Sequence, residues 1–442
     1  MINYKHLYWI IFIVMTGGIV CGLNIAGISG AVSYIQEVFN LNDIEIGLVV
    51  SSLTIGCIIG SLILGYLSEK HGRRKILILT SFIFIISSLG SALSTSPTTL
   101  IFYRFIGGLS VGTISFLGPV YISEISPQKI RGKLVSLNQL AIVIGILLAY
   151  IFDYLIIYTN NSWRYMLAIP IIFSIIYMIF SIKSLPESPR WLVINKKKSE
   201  AETIFKNIEG KKSAKEHIMK IEESLSMKNK VKLKDFFKGK IKKIMIIGII
   251  LAIFQQVVGI NAIIAYAPSI FENIGIQTQN ALLQSILIGF VNFLSTFIAI
   301  WLIDNKGRKI LLIYGSIGMT LTLSYLVYGF SLSQNNILIL IALLGYIAFY
   351  GASFAPILGV INSEIFSNNF RGIGMSFTAA INWLSAFVVI QFSPYIINNI
   401  GASILFGFFA IFSFLSLIFV KFYIPETKNK SLEQIEIELN SK

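Results

Sequence analysis

The chain lays out its plan twice. Gly72-Arg73-Arg74-Lys75 returns as Gly307-Arg308-Lys309, Glu124-x6-Arg131-Gly132 as Glu364-x6-Arg371-Gly372, and Pro186-Glu187-Ser188 as Pro425-Glu426-Thr427, each about 240 residues further on. Every copy is a short charged or proline-bearing stretch between long apolar runs, so the two halves must place their loops alike. Twelve apolar runs can be read, near 8–33, 46–67, 76–94, 98–122, 134–157, 164–184, 243–270, 281–303, 310–330, 337–361, 372–396 and 402–423. A bilayer core asks for about 20 apolar residues per helix, and a spanning helix satisfies its own backbone groups. The pattern predicts an all-α membrane protein with twelve transmembrane helices in two pseudo-symmetric six-helix bundles. Such a duplicated bundle places its site between the halves, near the bilayer midplane.

Composition agrees, with 55% hydrophobic and only 13% charged residues. The net charge of +15 would suit a nucleic-acid binder, but its distribution excludes that reading. Seventeen Lys and Arg lie in 185–243, whereas the loops at 34–45, 95–97, 158–163, 271–280, 331–336 and 397–401 contain none. This is the positive-inside pattern, and it puts both termini in the cytoplasm of a multi-pass protein. The first run continues past any signal-peptide core and reads as a retained span. The wealth of Ile, Asn and Lys suits an AT-rich genome, which favours a bacterial inner membrane over a eukaryotic plasma membrane.

The chain divides into an N-terminal six-helix bundle (1–190), a cytoplasmic linker (191–242), a C-terminal six-helix bundle (243–424) and a cytoplasmic tail (425–442). Ala201, Ile204, Phe205 and Ile208, then Ile218, Ile221 and Leu225, have helical spacing, so the linker is expected to hold short amphipathic helices; a flexible charged tether is the alternative. Cys21 and Cys57 sit inside apolar runs and read as packing residues, and the three histidines have no ligand spacing, so no metal or cofactor is expected. No nucleophile, metal cluster or phosphate loop points to an enzyme.

Taken together, Gly72-Arg73-Arg74, Arg104, Glu124 with Arg131, Pro186-Glu187-Ser188-Pro189-Arg190, Gln255-Gln256-x-x-Gly259-Ile260-Asn261-Ala262, Asn382-Trp383 and Pro425-Glu426-Thr427-Lys428 form a specific combination. With these motifs the whole chain resembles the sugar porter branch of the major facilitator superfamily, which holds facilitative glucose transporters and bacterial proton-coupled sugar symporters. The resemblance implies the major facilitator fold, a monomer, and a monosaccharide substrate moved by alternating access. It also implies a cytoplasmic salt-bridge network of Arg73, Glu124, Arg131, Glu187, Arg308, Glu364, Arg371 and Glu426. On physical grounds, carboxylate–guanidinium pairs at a membrane interface either fix helix ends or join the halves in one state of the cycle.

For the substrate, the spans offer Gln139, Gln255, Gln256, Asn261, Asn292 and Asn382 beside Trp383. Carboxamides donate and accept, as sugar hydroxyls do, and an indole offers an apolar face with an N–H at its edge. Gln256 and Asn261 share a face only if their span is bent, which Gly259 permits. By resemblance, the segment with Tyr266 and Pro268 is the outer gate.

Two departures bear on mechanism. Where the family commonly has a second tryptophan, this chain has Gly359, which either enlarges the pocket or lets a neighbour fill it. Where proton-coupled members carry an aspartate opposite Arg104, this chain has Asn24, as facilitative members do, so passive uniport of a hexose such as glucose is expected. Proton symport stays open through Asp153, because an embedded carboxylate costs about 2.5–3.5 kcal/mol on insertion scales and usually has a partner. Asp153 is read either as pairing with Arg104 or as an interfacial group reaching water. A non-transporting sugar sensor is the remaining alternative; it would be expected to carry a signalling extension, and the tail after the last run is short.

Overall fold

The computed structural model describes residues 3–127, 130–226, 239–273, 275–332, 336–366, 371–426 and 428, with side chains described for all of these except 209, 211–213, 220, 223–226, 239–241, 304, 363 and 371–373. Among them, twelve helices are long and apolar enough to cross a bilayer. In chain order, spans 1–6 are Tyr4–Phe39, Asp43–His71, Arg73–Ala92, Pro97–Ile125, Arg131–Ile156 and Ser162–Ser184. Spans 7–12 are Lys242–Ala265, Thr278–Ile303, Arg308–Ser331, Asn336–Asn362, Gly374–Asn399 and Ala402–Tyr423.

Span 1 outruns its apolar stretch. Its helix breaks after Ala26, makes a short 3-10 turn at Ser29–Ala31, and resumes as Val32–Phe39, which exposes Ser33, Glu37 and Val38. Asn40 ends it in the left-handed conformation. The next spans start on local caps. Asn42 and Glu45 form a capping box on span 2, and Ser96 with Thr99 does the same on span 4, with Pro97 at the first turn.

Packing repeats the sequence duplication. In the first half span 1 lies against 5, 2 against 4 and 3 against 6, and in the second 7 lies against 11, 8 against 10 and 9 against 12. The halves meet through spans 2 and 11 and through spans 5 and 8, pairs that exchange under the same sixfold shift in span number. Close approach within the first half rests on small residues, with Gly22 against Gly145 and Gly56 against Gly108.

The charged repeats are the same joint built twice. Gly72 has φ +104° and Gly307 φ +92°, and a side chain at either would collide with Glu187 or Glu426. Glu187 accepts the N–H groups of Arg73 and Arg74 at 2.8 and 3.1 Å, and Glu426 accepts those of Arg308 and Lys309 at 3.0 and 3.1 Å. Each carboxylate thus caps the start of the following span, where the helix dipole favours a negative charge. Burial pushes the Glu187 carboxyl up, opposed by its N–H donors from Ser188, Arg74 and Arg73 and by the Arg73 charge.

After span 6 come helices Pro189–Ile194, Lys198–Glu209 and Lys211–Ser226. Leu192, Val193, Ala201, Phe205, Ala214 and Ile218 form a small apolar core among them. The apolar spacing read from the sequence therefore closes on itself, and the Ile208 carbonyl takes the Asn3 N–H at 2.6 Å, tying the unit to the start of span 1.

Candidate functional site

A cavity of about 1150 Å³ runs between the halves. It opens at the end that carries the basic loops, past Arg73, Glu124, Arg131 and Arg190 on one side and Arg308 and Glu364 on the other, and it reaches inward to Gln139, Gln255, Gln256, Asn261, Asn292, Asn382 and Trp383. All seven residues expected to meet a substrate therefore line one space.

Span 7 makes this possible. Gly259 takes φ +101°, and its helix is interrupted between Val257 and Ile260 and again at Tyr266. The break turns Asn261 back onto Gln256, whose Oε1 accepts the Asn261 amide at 2.7 Å. The Gln256 amide donates to Asn382 Oδ1 at 2.9 Å. Asn382 in turn donates to Gln255 Oε1 at 2.8 Å and to the Ala252 carbonyl at 2.9 Å. Four carboxamides on spans 7 and 11 thus form one chain, and Gln255 extends it to the Phe354 carbonyl in span 10. Trp383, 8% exposed, stands next to it.

Elsewhere on the cavity wall, hydrogen-bonding capacity is left over. Asn138, Asn292 and Asn362 each carry a buried Oδ1 without a protein partner. Asn138 and Asn362 were not singled out from the sequence. Asn138 adjoins Gln139 and Asn362 lies one turn beyond Gly359, so adjacency was the available signal. At Gly359 an added Cβ would meet nothing within 4 Å, so no neighbour has filled the missing indole and the cavity is enlarged there.

Among the described residues, two ion pairs at the open end each join groups of one half. Arg73 meets Glu124 at 3.2 Å and Arg308 meets Glu364 at 2.9 Å. Ser188 adds its hydroxyl to Glu124. Arg131 lines the rim, and its guanidinium reaches the Ser126 carbonyl at 3.5 Å. The side chain of Arg371 lies outside the described residues.

The opposite end is shut by bonds between halves. Gln391 of span 11 takes the Ser51 hydroxyl at 2.7 Å and donates to the Ile44 carbonyl at 2.9 Å. Asp43 takes amides from Asn398 and Asn399 at 2.8 and 2.7 Å, Ser33 donates to Glu272 at 2.9 Å, and Tyr150 donates to the Ile264 carbonyl at 2.8 Å. Tyr266 and Pro268 belong to this closed end. Tyr266 is 2% exposed and its hydroxyl donates to the Ile390 carbonyl, so the structure places it off the cavity wall.

Asn24 and Arg104 line one small internal space. Asn24 donates to the Val20 carbonyl at 2.9 Å, and Arg104 donates to the carbonyls of Val49 and Val50 at 3.0 and 3.3 Å. Asp153 instead accepts the Gly30 N–H at 3.1 Å. The pairing of Asp153 with Arg104 is therefore corrected, since each is satisfied by a different stretch of backbone. The interfacial alternative fails too, because Asp153 is 1% exposed.

A duplicated twelve-span bundle with a polar cavity between its halves narrows the class, and comparison decides it. The model of the sugar (and other) transporter family matches residues 9–439. The chain belongs to that family.

This sugar transporter is 37% identical over 428 residues to the arabinose-proton symporter of Bacillus subtilis, covering 95% of this chain and 92% of that one. It is also 37% identical to the glucose transporter GlcP of Staphylococcus epidermidis, covering 98% of both. Its fold superposes on the major facilitator superfamily proton:xylose symporter XylE bound to 6-bromo-6-deoxy-D-glucose with a TM-score of 0.88 and 34% identity, covering 99% of this chain and 100% of that one. The sugar transporter is thus a multi-pass membrane protein of the major facilitator superfamily, and a transporter rather than an enzyme.

Proposed function

We propose that this transporter carries a neutral monosaccharide, a hexose in the first instance, by rocking its halves about the carboxamide-lined cavity. The observation that carries this is the chain Asn261–Gln256–Asn382–Gln255 beside Trp383, flanked by the unpartnered amides of Asn138 and Asn292. Together they offer donors, acceptors and an apolar face but no ionised group, which suits a polyol rather than an amino acid or organic anion.

The basic end is assigned to the cytoplasm by the loop charges, so the arrangement corresponds to an inward-open state. Residues 1–190 and 243–424 act as the two moving bundles of a monomer, joined by the linker at 191–242 and followed by the tail at 425–442. The ion pairs within each half fit this state, because pairs across the halves would close the cavity mouth.

Asn24 removes the titratable group from the position next to Arg104, and this favours facilitative uniport. Proton symport is the second reading, favoured by the proton symporters for arabinose and xylose among the relatives.

Counterflow in proteoliposomes tests the proposal. Internal unlabelled glucose should drive entry of labelled glucose, and arabinose, xylose and galactose should compete in a graded order. Absence of exchange with every pentose and hexose tried would refute the substrate class.

A further inference from the structure

The small space that Arg104 shares with Asn24 belongs to the first bundle and has no lining residue in common with the cavity between the halves. Spans 1, 2, 3, 4 and 6 all contribute to it. Ser87, Ser88 and Ser91 of span 3 line it beside Arg104, and Met166, Leu167 and Pro170 of span 6 give it an apolar wall. Its volume is about 10 Å³, room for one water or one small ion and too little for a sulfate, a phosphate or an organic acid.

Arg104 brings a full charge to this space while only 4% exposed. A guanidinium offers five N–H donors and no acceptor. Nε and Nη2 donate to the carbonyls of Val49 and Val50 at 3.0 and 3.3 Å, which engages two donors without neutralising the charge. Among the described residues no carboxylate oxygen lies within 4 Å of Arg104. Asp153, the carboxylate embedded in the same bundle, is turned to the Gly30 N–H. Asn24 meets the space with a neutral amide, one N–H of which goes to the Val20 carbonyl.

Ser88 adds a further donor. It is 2% exposed, and its buried hydroxyl has no protein partner. Ser87 differs, because its hydroxyl is spent on the Tyr103 carbonyl at 2.7 Å. Around one compact space there remain the unengaged N–H groups of Arg104, the Ser88 hydroxyl and a positive charge. A water could accept from these donors but would leave the buried charge unpaired, whereas an anion answers both needs.

We propose that this space binds one small monovalent anion, chloride in the first instance, which pairs with Arg104 and accepts the Ser88 hydroxyl where Asn24 supplies no charge. Arg104 also holds span 2 at Val49 and Val50, beside Ser51, whose hydroxyl reaches Gln391 of the other half. The anion thus steadies the first bundle near the closed end. This role is independent of which sugar the cavity takes.

The test uses the full-length purified protein exchanged into methanesulfonate, with chloride returned at constant ionic strength. Its unfolding temperature should rise by about 3 °C or more on addition of about 300 mM chloride, as binding to the folded state requires. Bromide should act likewise, and sulfate should not. Radioactive chloride should bind saturably and be displaced by bromide. In Asn24→Asp a fixed carboxylate takes the ion's place beside Arg104, so both the thermal shift and the binding should be lost. Ser88→Ala removes the hydroxyl and leaves the charge, so the chloride concentration at half-effect should rise about threefold or more.

A wild-type protein indifferent to halide would overturn the site. So would a chloride shift that persists in Asn24→Asp or that sulfate reproduces, since either is a general effect of salt. Should Asn24→Asp fail to fold, Ser88→Ala decides, and an unchanged half-effect concentration there would overturn the site as well. None of these readouts involves sugar, so the substrate assignment stands or falls separately.

Discussion

At Gly259 the backbone takes φ +101° and a side chain would run into the Phe409 ring. Gly259→Val should cost about 1–3 kcal/mol for the strained backbone alone, and it should misplace Asn261 relative to Gln256. A lowered unfolding temperature with counterflow reduced by about tenfold or more is expected; an unchanged protein would mean that the bend serves no purpose. Gly359 predicts the opposite pattern. Its surroundings are open, so Gly359→Trp should fold normally and narrow the cavity, and competition by bulky glycosides should fall relative to competition by glucose. Residue types at these positions were legible in the sequence, because carboxamides inside apolar runs and a glycine between two of them carry their own signal. The partners were not. Asp153 and Arg104 looked like a pair because their depths match, but depth along a helix says nothing about its rotation, and each found a backbone partner on a different neighbour. Asn138 and Asn362 were missed for the same reason, since only the packed bundle shows which face of spans 5 and 10 meets the cavity.

Span ends are set by local chemistry, and there sequence and structure agree closely. Asn42 with Glu45, Ser96 with Pro97, and the paired glycines 72 and 307 fix where helices start or stop. Span 1 is the exception, because its outer helix is amphipathic and lies beyond the apolar run. That helix, the outer parts of spans 2, 5 and 7 and the end of span 11 make the seal, so weakening the seal should shift the whole molecule. Gln391→Ala removes the acceptor for Ser51 and the donor to Ile44, a loss of about 1–3 kcal/mol for groups left unpaired. In right-side-out vesicles of protein carrying Ile146→Cys with Cys21→Ala and Cys57→Ala, labelling by an impermeant maleimide added outside should become several-fold faster. No acceleration would show that the seal rests on apolar packing alone. The linker core around Phe205 and Ala201 was visible as spacing but not as a closed unit, because its contacts join three separate helices.

For the molecule as a whole, duplication is the governing fact, and the span pairings 1–5, 2–4 and 3–6 return as 7–11, 8–10 and 9–12. At the open end the pairs Arg73–Glu124 and Arg308–Glu364 each lie inside one half, and the proposed cycle would exchange such pairs as the mouth closes. The double variant Glu124→Gln with Glu364→Gln should therefore change the rate of exchange more than sugar affinity, whereas an effect on affinity alone would place these residues outside the cycle. In the proposed function, the carboxamide chain on spans 7 and 11 holds the monosaccharide. Equilibrium binding of radiolabelled glucose and xylose to the purified protein, compared between wild type and Asn382→Ala, tests it most directly. Saturable binding of at least one of these sugars is expected, weakened by about tenfold or more in the variant because Gln255 and Gln256 lose their shared partner; equal binding by a folded Asn382→Ala protein would rule out the carboxamide chain as the sugar's holder.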